Sequence, residues 1–264
     1  MTKKVMTEKR IYPGVNCFKL MAALFVIMIH TSPLTSFSAE ADFVLTRILA
    51  RTAVPFFFMV TGFFVLPKAL GDTGQGLRYL RRIGLIYLAS VLLYFPVNLY
   101  AGHFRGVGAG GFLRMLLIDG TFYHLWYLPA LLLGFALVWA GLKALPWKAV
   151  LGISVFLYLL GLPGDSYYGF LKDGSGKAAR RLPFSVTLAA LGVCTALLLA
   201  EGITLKILEV QRHDSMYLAL VPLMYFLFLS LLDARGPDPM KRLPRELPLL
   251  VYVLHPLFLI LVRG

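Results

Sequence analysis

The run "LPALLLGFALVWAGLKAL" (Leu128–Leu145) carries one charged residue, Lys143, over a length close to that of a membrane crossing. A bilayer core is ~30 Å thick and a helix rises ~1.5 Å per residue, so about 20 predominantly apolar residues span it. Comparable runs recur along the chain, and they do not alternate as the strands of a membrane barrel must. Of the 264 residues, 59% are hydrophobic and 15% charged, which leaves too little polar surface to coat a soluble globule of this size. The expected fold is all-α, a polytopic transmembrane helical bundle.

Eight spans are read at roughly 15–34, 42–66, 80–101, 123–145, 148–163, 182–200, 216–233 and 247–262. The segment Gly110–Gly120 is too short to cross. With Arg114 and Asp119 flanking an apolar face, it is expected to lie in the interface. The glycine-rich stretch before it, "GHFRGVGAGG", is a flexible connection by composition.

The formal net charge is +13. Its basic residues gather in short loops beside apolar runs, where the positive-inside rule accounts for them without nucleic acid as a partner. Cys17 and Cys194 both fall in expected spans and read as small hydrophobic residues. No Cys/His spacing of a metal site is present, so neither a metal nor a resident cofactor is expected. "MTKKVMTEKRIYPGVN" is basic and lacks a small-residue cleavage site, so it reads as an uncleaved, cytoplasmic start. The expected location is the cell membrane, multi-pass, in contact with lipid.

Loop charge then sets the topology. "SFSAEAD" (Ser36–Asp42) is acidic and should face outward, whereas Pro67–Arg82 and Lys143–Lys148 are basic and should lie inside. Alternation places the next loop outside, yet "GDSYYGFLKDGSGKAARR" carries Lys172, Lys177, Arg180 and Arg181. Either a span is absent there, through a deletion or engineered join near Lys172–Lys177, or the segment is re-entrant and half-buried, or the loop charge bias is weak.

Ionisable groups inside spans cost about 2.5–3.5 kcal/mol on insertion scales, so each is a candidate for function. Lys19 and His30 stand eleven residues apart. That spacing returns to nearly the same helix face ~16 Å along the axis. Lys19 also lies near enough to the span end to snorkel. "HTSP" marks the end of that helix, where His30 could bond to backbone instead. Arg47, Arg51 and Pro55 follow at i, i+4 and i+8. Pro55 frees a backbone carbonyl and kinks its helix, Arg47 reads as an interfacial anchor and Arg51 as interior. In "YHLWYLPALL", Trp126 suits the aromatic belt and His124 needs a polar partner. In "LLVYVLHPLFLI", Tyr252 and His255 share a face, and Pro256 interrupts the ladder beside the histidine. Arg81 and Arg82 open the third span on the basic side. "EVQRHDSMYL" gathers Arg212, His213 and Asp214 at a span edge.

Taken in order, the Lys19–His30 pair, "RTAVPFFFMVTGFF", "HLWYLPALL" and "VYVLHPL" resemble the acyltransferase-3 superfamily of membrane acyltransferases across nearly the whole chain. "AALFVIMIHTSPL", "RHDSMYL" and "LPRELPLLVYVLHPLFLILVRG" resemble more closely the membrane domain of VanT-type serine racemases of vancomycin resistance. The resemblance implies a single membrane domain over 1–264, of a type with about ten spans, which in those proteins precedes a cytoplasmic racemase domain and supplies L-serine. No racemase activity is expected from residues 1–264 themselves. The superfamily carries arginine where this chain has Lys19; lysine keeps the charge but not the bidentate fork.

Two chemistries are implied. In acyl transfer, His30 acts as base on an acceptor hydroxyl, and Lys19, Arg51 and Arg82 hold an acyl-CoA donor entering from the cytoplasm. In serine handling, Arg51 or Lys19 holds the carboxylate, and His30, His124 or Tyr252 takes the amine or hydroxyl. Trp126 and His255 complete the candidate substrate-binding set. A passive membrane anchor is the third reading.

Overall fold

The structure is a computed structural model that describes residues 11–161, 184–208, 216–241, 243–244 and 246–263. The stretch around Lys172–Lys177 and the Arg212–Asp214 group both lie outside the described residues.

Among the described residues the chain is all helical. Helix α1 (Pro13–Thr31) begins on a proline, whose missing N–H costs nothing in a first turn. It ends at Ser32, which takes a left-handed conformation (φ 46°), while Pro33 blocks continuation. Next comes a nearly continuous rod, Ala39–Gly71, of 33 residues. It runs through α2 (Ala39–Phe43), a wide π turn (Val44–Ile48), a 3₁₀ turn (Leu49–Thr52), α3 (Ala53–Phe64) and α4 (Leu66–Gly71). Then follow α5 (Thr73–Tyr100), α6 (Ala109–Arg114) with a π turn over Met115–Asp119, α7 (Tyr127–Ala144), α8 (Trp147–Gly161), α9 (Phe184–Ile207), α10 (Leu220–Asp233) and α11 (Leu247–Arg263).

Among the described residues, each of the eight expected segments contains a helix. Five helical stretches are long and apolar enough to cross a membrane, namely Pro13–Thr31, Ala39–Gly71, Thr73–Tyr100, Tyr127–Ala144 and Thr187–Ile207. The apolar stretches Trp147–Tyr158, Leu220–Asp233 and Leu247–Val262 are shorter. Two boundaries shift for visible reasons. Helix α7 starts at Tyr127 rather than near 123, because Pro129 is tolerated only in a first turn and Gly120 (φ 78°) folds the chain back beforehand. Helix α10 starts at Leu220 rather than 216, because the Glu201 carboxylate accepts from the N–H groups of Leu218 (2.6 Å) and Ala219 (2.8 Å) just ahead of it. The short Gly110–Gly120 segment is α6 plus its π turn, closed by an Arg114–Asp119 ion pair at 3.0 Å.

The chain divides between Phe56 and Phe57 into two compact units, one built from the residues up to Phe56 and from Gly161 onward, the other from Phe57–Leu160. In the first, α1 packs on α10, α11 and the Leu49–Thr52 turn, and α9 packs on α10 and the π turn. Its centre is aromatic, with Phe56 stacked edge-on to Phe18 (4.6 Å) and tilted against Phe228 (6.2 Å). Lys206 bridges α9 to Glu40 of α2 at 2.5 Å. In the second, Trp139 of α7 donates to the Ala69 carbonyl (3.0 Å) and packs with Phe135 and Ala69.

Between lipid-embedded helices there is no hydrophobic driving force, so close packing and small residues carry association. Gly14 of α1 shows this: a Cβ there would sit 2.6 Å from the Leu231 carbonyl oxygen and 2.7 Å from Ala234 Cβ. Backbone cannot yield as a flexible side chain can, so Gly14→Ala should cost about 1–3 kcal/mol of overpacking and lower Tm in a thermal-shift series. At the other unit's α4–α5 turn, Asp72 caps α5 by accepting from Gly74 N–H at 2.8 Å. Hydrogen bonds from the Gln75 side chain and the Gly74 backbone, helped by Arg78, hold its carboxyl below the usual carboxylate range. The cap is therefore complete above about pH 4 and is lost as pH falls through the lowered folded value. Asp72→Asn should flatten the acid limb of the Tm-versus-pH curve slightly.

Candidate functional site

The first unit brings His30, from the last turn of α1, against His255 in the middle of α11. The two imidazoles stack with centroids 5.3 Å apart and planes inclined by 21°. His255 is buried and His30 half-buried, so the pair is a polar core element rather than a surface contact. Tyr252 lies one turn before His255, with ring centroids 6.5 Å apart.

The histidine–proline pair has a local cause. In a regular helix the N–H of residue 256 would donate to the carbonyl of Tyr252, and Pro256 has none to give. His255 Nδ1 stands 2.9 Å from that carbonyl oxygen and 3.2 Å from the oxygen of Val251. Carbonyls only accept, so Nδ1 carries the proton, and in the neutral ring Nε2 is the lone-pair nitrogen.

Besides His255, the charges of Arg51 and Arg47 act on His30. Both lie in the irregular part of the Ala39–Gly71 rod. The sequence places the two arginines on one face by α-helical arithmetic, with a kink at Pro55. Instead, the helix loosens to a π turn and tightens to a 3₁₀ turn just before α3, so the regular 100° step does not hold there. Pro55 supplies no N–H for the Arg51 carbonyl, which is why the irregularity falls on its N-terminal side. Backbone groups in the distorted stretch find other partners. The Tyr217 hydroxyl donates to the Arg47 carbonyl (3.1 Å), and Thr52 Oγ1 donates to the Leu49 carbonyl (2.7 Å). Arg47 is exposed, whereas Arg51 is half-buried with its Nε inside the protein.

Lys19 is not brought to the imidazole pair. It lies on the same unbroken helix, ~16 Å away along its axis. Its Nζ donates to Asn16 Oδ1 (3.2 Å), and Asn16 Nδ2 reaches both carboxylate oxygens of Asp238 (3.0 and 3.1 Å). The Asp238 charge acts on Lys19. The sequence alone does not pair Asn16 with Asp238. Asn16 stands one turn before Lys19, but Asp238 reads as loop in "ARGPDPMK" and joins only through the tertiary fold.

Arg82, His124 and Trp126 belong to the second unit. His124 is buried in an aromatic cage, edge-on to Tyr94 (4.9 Å), Tyr123 (5.4 Å) and Phe122 (5.5 Å). Trp126 precedes α7 and is 44% exposed. Arg82 is exposed on the first half of α5. Among the described residues no group of three His, Cys, Asp or Glu side chains is placed to hold a metal ion.

The family model for the acyltransferase-3 group, described as an acyltransferase domain, matches residues 12–232. The chain belongs to the acyltransferase-3 family. Among curated proteins, an amino-acid racemase of Enterococcus faecalis is 34% identical over 264 residues, covering 88% of this chain and 37% of the relative. A second amino-acid racemase of that organism is 34% identical over 291 residues, 95% of this chain and 41% of its own length. A serine/alanine racemase of Enterococcus gallinarum is 30% identical over 284 residues, 92% of this chain and 40% of its own. The chain thus spans about two fifths of the length of the curated relatives it matches. No solved structure matches. The acyltransferase-3 match contains Lys19, His30, Arg51, Arg82, His124 and Trp126, while Tyr252 and His255 lie beyond its end at residue 232. The chain is therefore a multi-pass membrane domain of the acyltransferase-3 family, with one half of its imidazole pair outside the matched region.

Proposed function

We propose that the first unit binds L-serine and carries it across the cell membrane, with the N-terminus on the cytoplasmic side. The observation that carries this reading is the stacked His30–His255 pair under the charges of Arg51 and Arg47. The charges of Arg51 and Arg47 acting on His30 suit a ligand bearing a carboxylate. Arg51 would hold that carboxylate through its fork. His30, Tyr252 and His255 offer acceptors and donors to an amine and a short hydroxyl. The relatives named serine/alanine racemase and amino-acid racemase support the choice of amino acid. In this reading the domain delivers serine to a racemase domain on the cytoplasmic side.

A second reading is favoured by the family match itself. In acyl transfer His30 would remove the proton of an acceptor hydroxyl as that oxygen attacks the thioester carbonyl of a cytoplasmic acyl-CoA. Arg51 would stabilise the tetrahedral oxyanion, whose collapse breaks the C–S bond and expels the CoA sulfur, which takes back the proton held by His30. Lys19, tied to Asn16 and facing Asp238, fits this reading less well as a donor-binding cation.

Purified protein in proteoliposomes separates the two. Saturable uptake of radiolabelled L-serine, absent in His30→Ala and without loss of acetyl-CoA, is the expected result. His30-dependent consumption of acetyl-CoA without serine uptake would replace it with the acyl-transfer reading. Neither signal from folded protein would leave a passive anchor.

A further inference from the structure

We infer that the His255–Pro256 pair is a built-in tautomer lock, and that it makes His255 a positioning residue for His30. Within a membrane a carbonyl without a donor is expensive, because no water is present to take it. Pro256 removes the helix donor to the Tyr252 carbonyl, and His255 Nδ1 stands 2.9 Å from that oxygen. The neighbouring Val251 carbonyl stands farther from the same nitrogen, at 3.2 Å, so the Tyr252 oxygen is the shorter contact.

Two consequences follow from the geometry. The ring plane of His255 is fixed by its own backbone, and that fixed plane is what His30 stacks upon at 5.3 Å and 21°. The neutral ring also presents Nε2 as an acceptor, and this atom is buried inside the protein. An acceptor nitrogen is complementary to a ligand hydroxyl or ammonium. This ligand half rests on the serine reading above; the lock itself does not.

The device is read most directly by nitrogen NMR of the full chain in lipid bilayers, with ¹⁵N-labelled histidine and His255 assigned by its loss in His255→Asn. The unsubstituted chain should show His255 as Nδ1–H in its neutral form. Pro256→Ala restores a backbone donor to the Tyr252 carbonyl, so the Nε2–H tautomer should appear. In the same variant L-serine affinity should fall about tenfold with little change in Tm. His255→Asn retains a donor at the Nδ1 position without the ring, and should keep its fold while losing the affinity. A His255 found as Nε2–H in the unsubstituted chain, or unmoved by Pro256→Ala, overturns the lock. A moved tautomer with unchanged affinity overturns the positioning role. The expected tautomers in a chain that binds no serine would leave the lock standing and sink the serine reading alone.

Discussion

Arg51→Ala should weaken L-serine binding by about thirtyfold. Removing one member of a buried, hydrogen-bonded charge pair costs about 2–5 kcal/mol, and each ~1.4 kcal/mol is a factor of ten. Arg51 is half-buried, so part of this is screened, and the lower end of that range applies. Arg51→Lys keeps the charge but not the planar fork, so it should fall between the two. Arg47→Ala should have a smaller effect, because Arg47 is exposed whereas Arg51 is half-buried with its Nε inside the protein. Isothermal titration of the folded variants orders them. An Arg51→Ala affinity within threefold of the unsubstituted chain would remove Arg51 from the site.

His30→Ala should abolish serine uptake, and His30→Gln should recover little of it. Alanine removes the ring that stacks on His255, while glutamine restores a donor and an acceptor but not the flat surface. Should the acyl-transfer reading hold instead, the same change should lower the rate by about 10²–10⁴, the usual contribution of a positioned general base. Folding is monitored beside it by Tm, since α1 also carries Phe18 and Gly14 in the packed core.

Much of this arrangement is visible before any coordinates. The apolar runs fix the helices, because only a helix satisfies its own backbone across ~30 Å of hydrocarbon. Pro33 and the Thr31–Ser32 step mark the end of α1, and the His–Pro pair marks a disturbed turn in α11. Long-range pairing is not visible in the same way. No periodicity shows that His30 meets His255, which lies 225 positions away, or that Asn16 meets Asp238. Arithmetic at 100° per residue also misleads at Arg47–Arg51, where the turn width changes twice within nine residues. The pairing of Lys19 with His30 shows the limit clearly. A shared helix face is correct geometry, yet the axial distance gives each residue its own surroundings.

Equilibrium binding of radiolabelled L-serine to the purified chain in lipid nanodiscs tests the central claim most directly. Saturable binding that is lost in both His30→Ala and Arg51→Ala, each with a Tm close to that of the unsubstituted chain, is the expected result. Saturable binding that survives both changes, or none at all to the folded unsubstituted chain, would contradict a serine site at the imidazole pair.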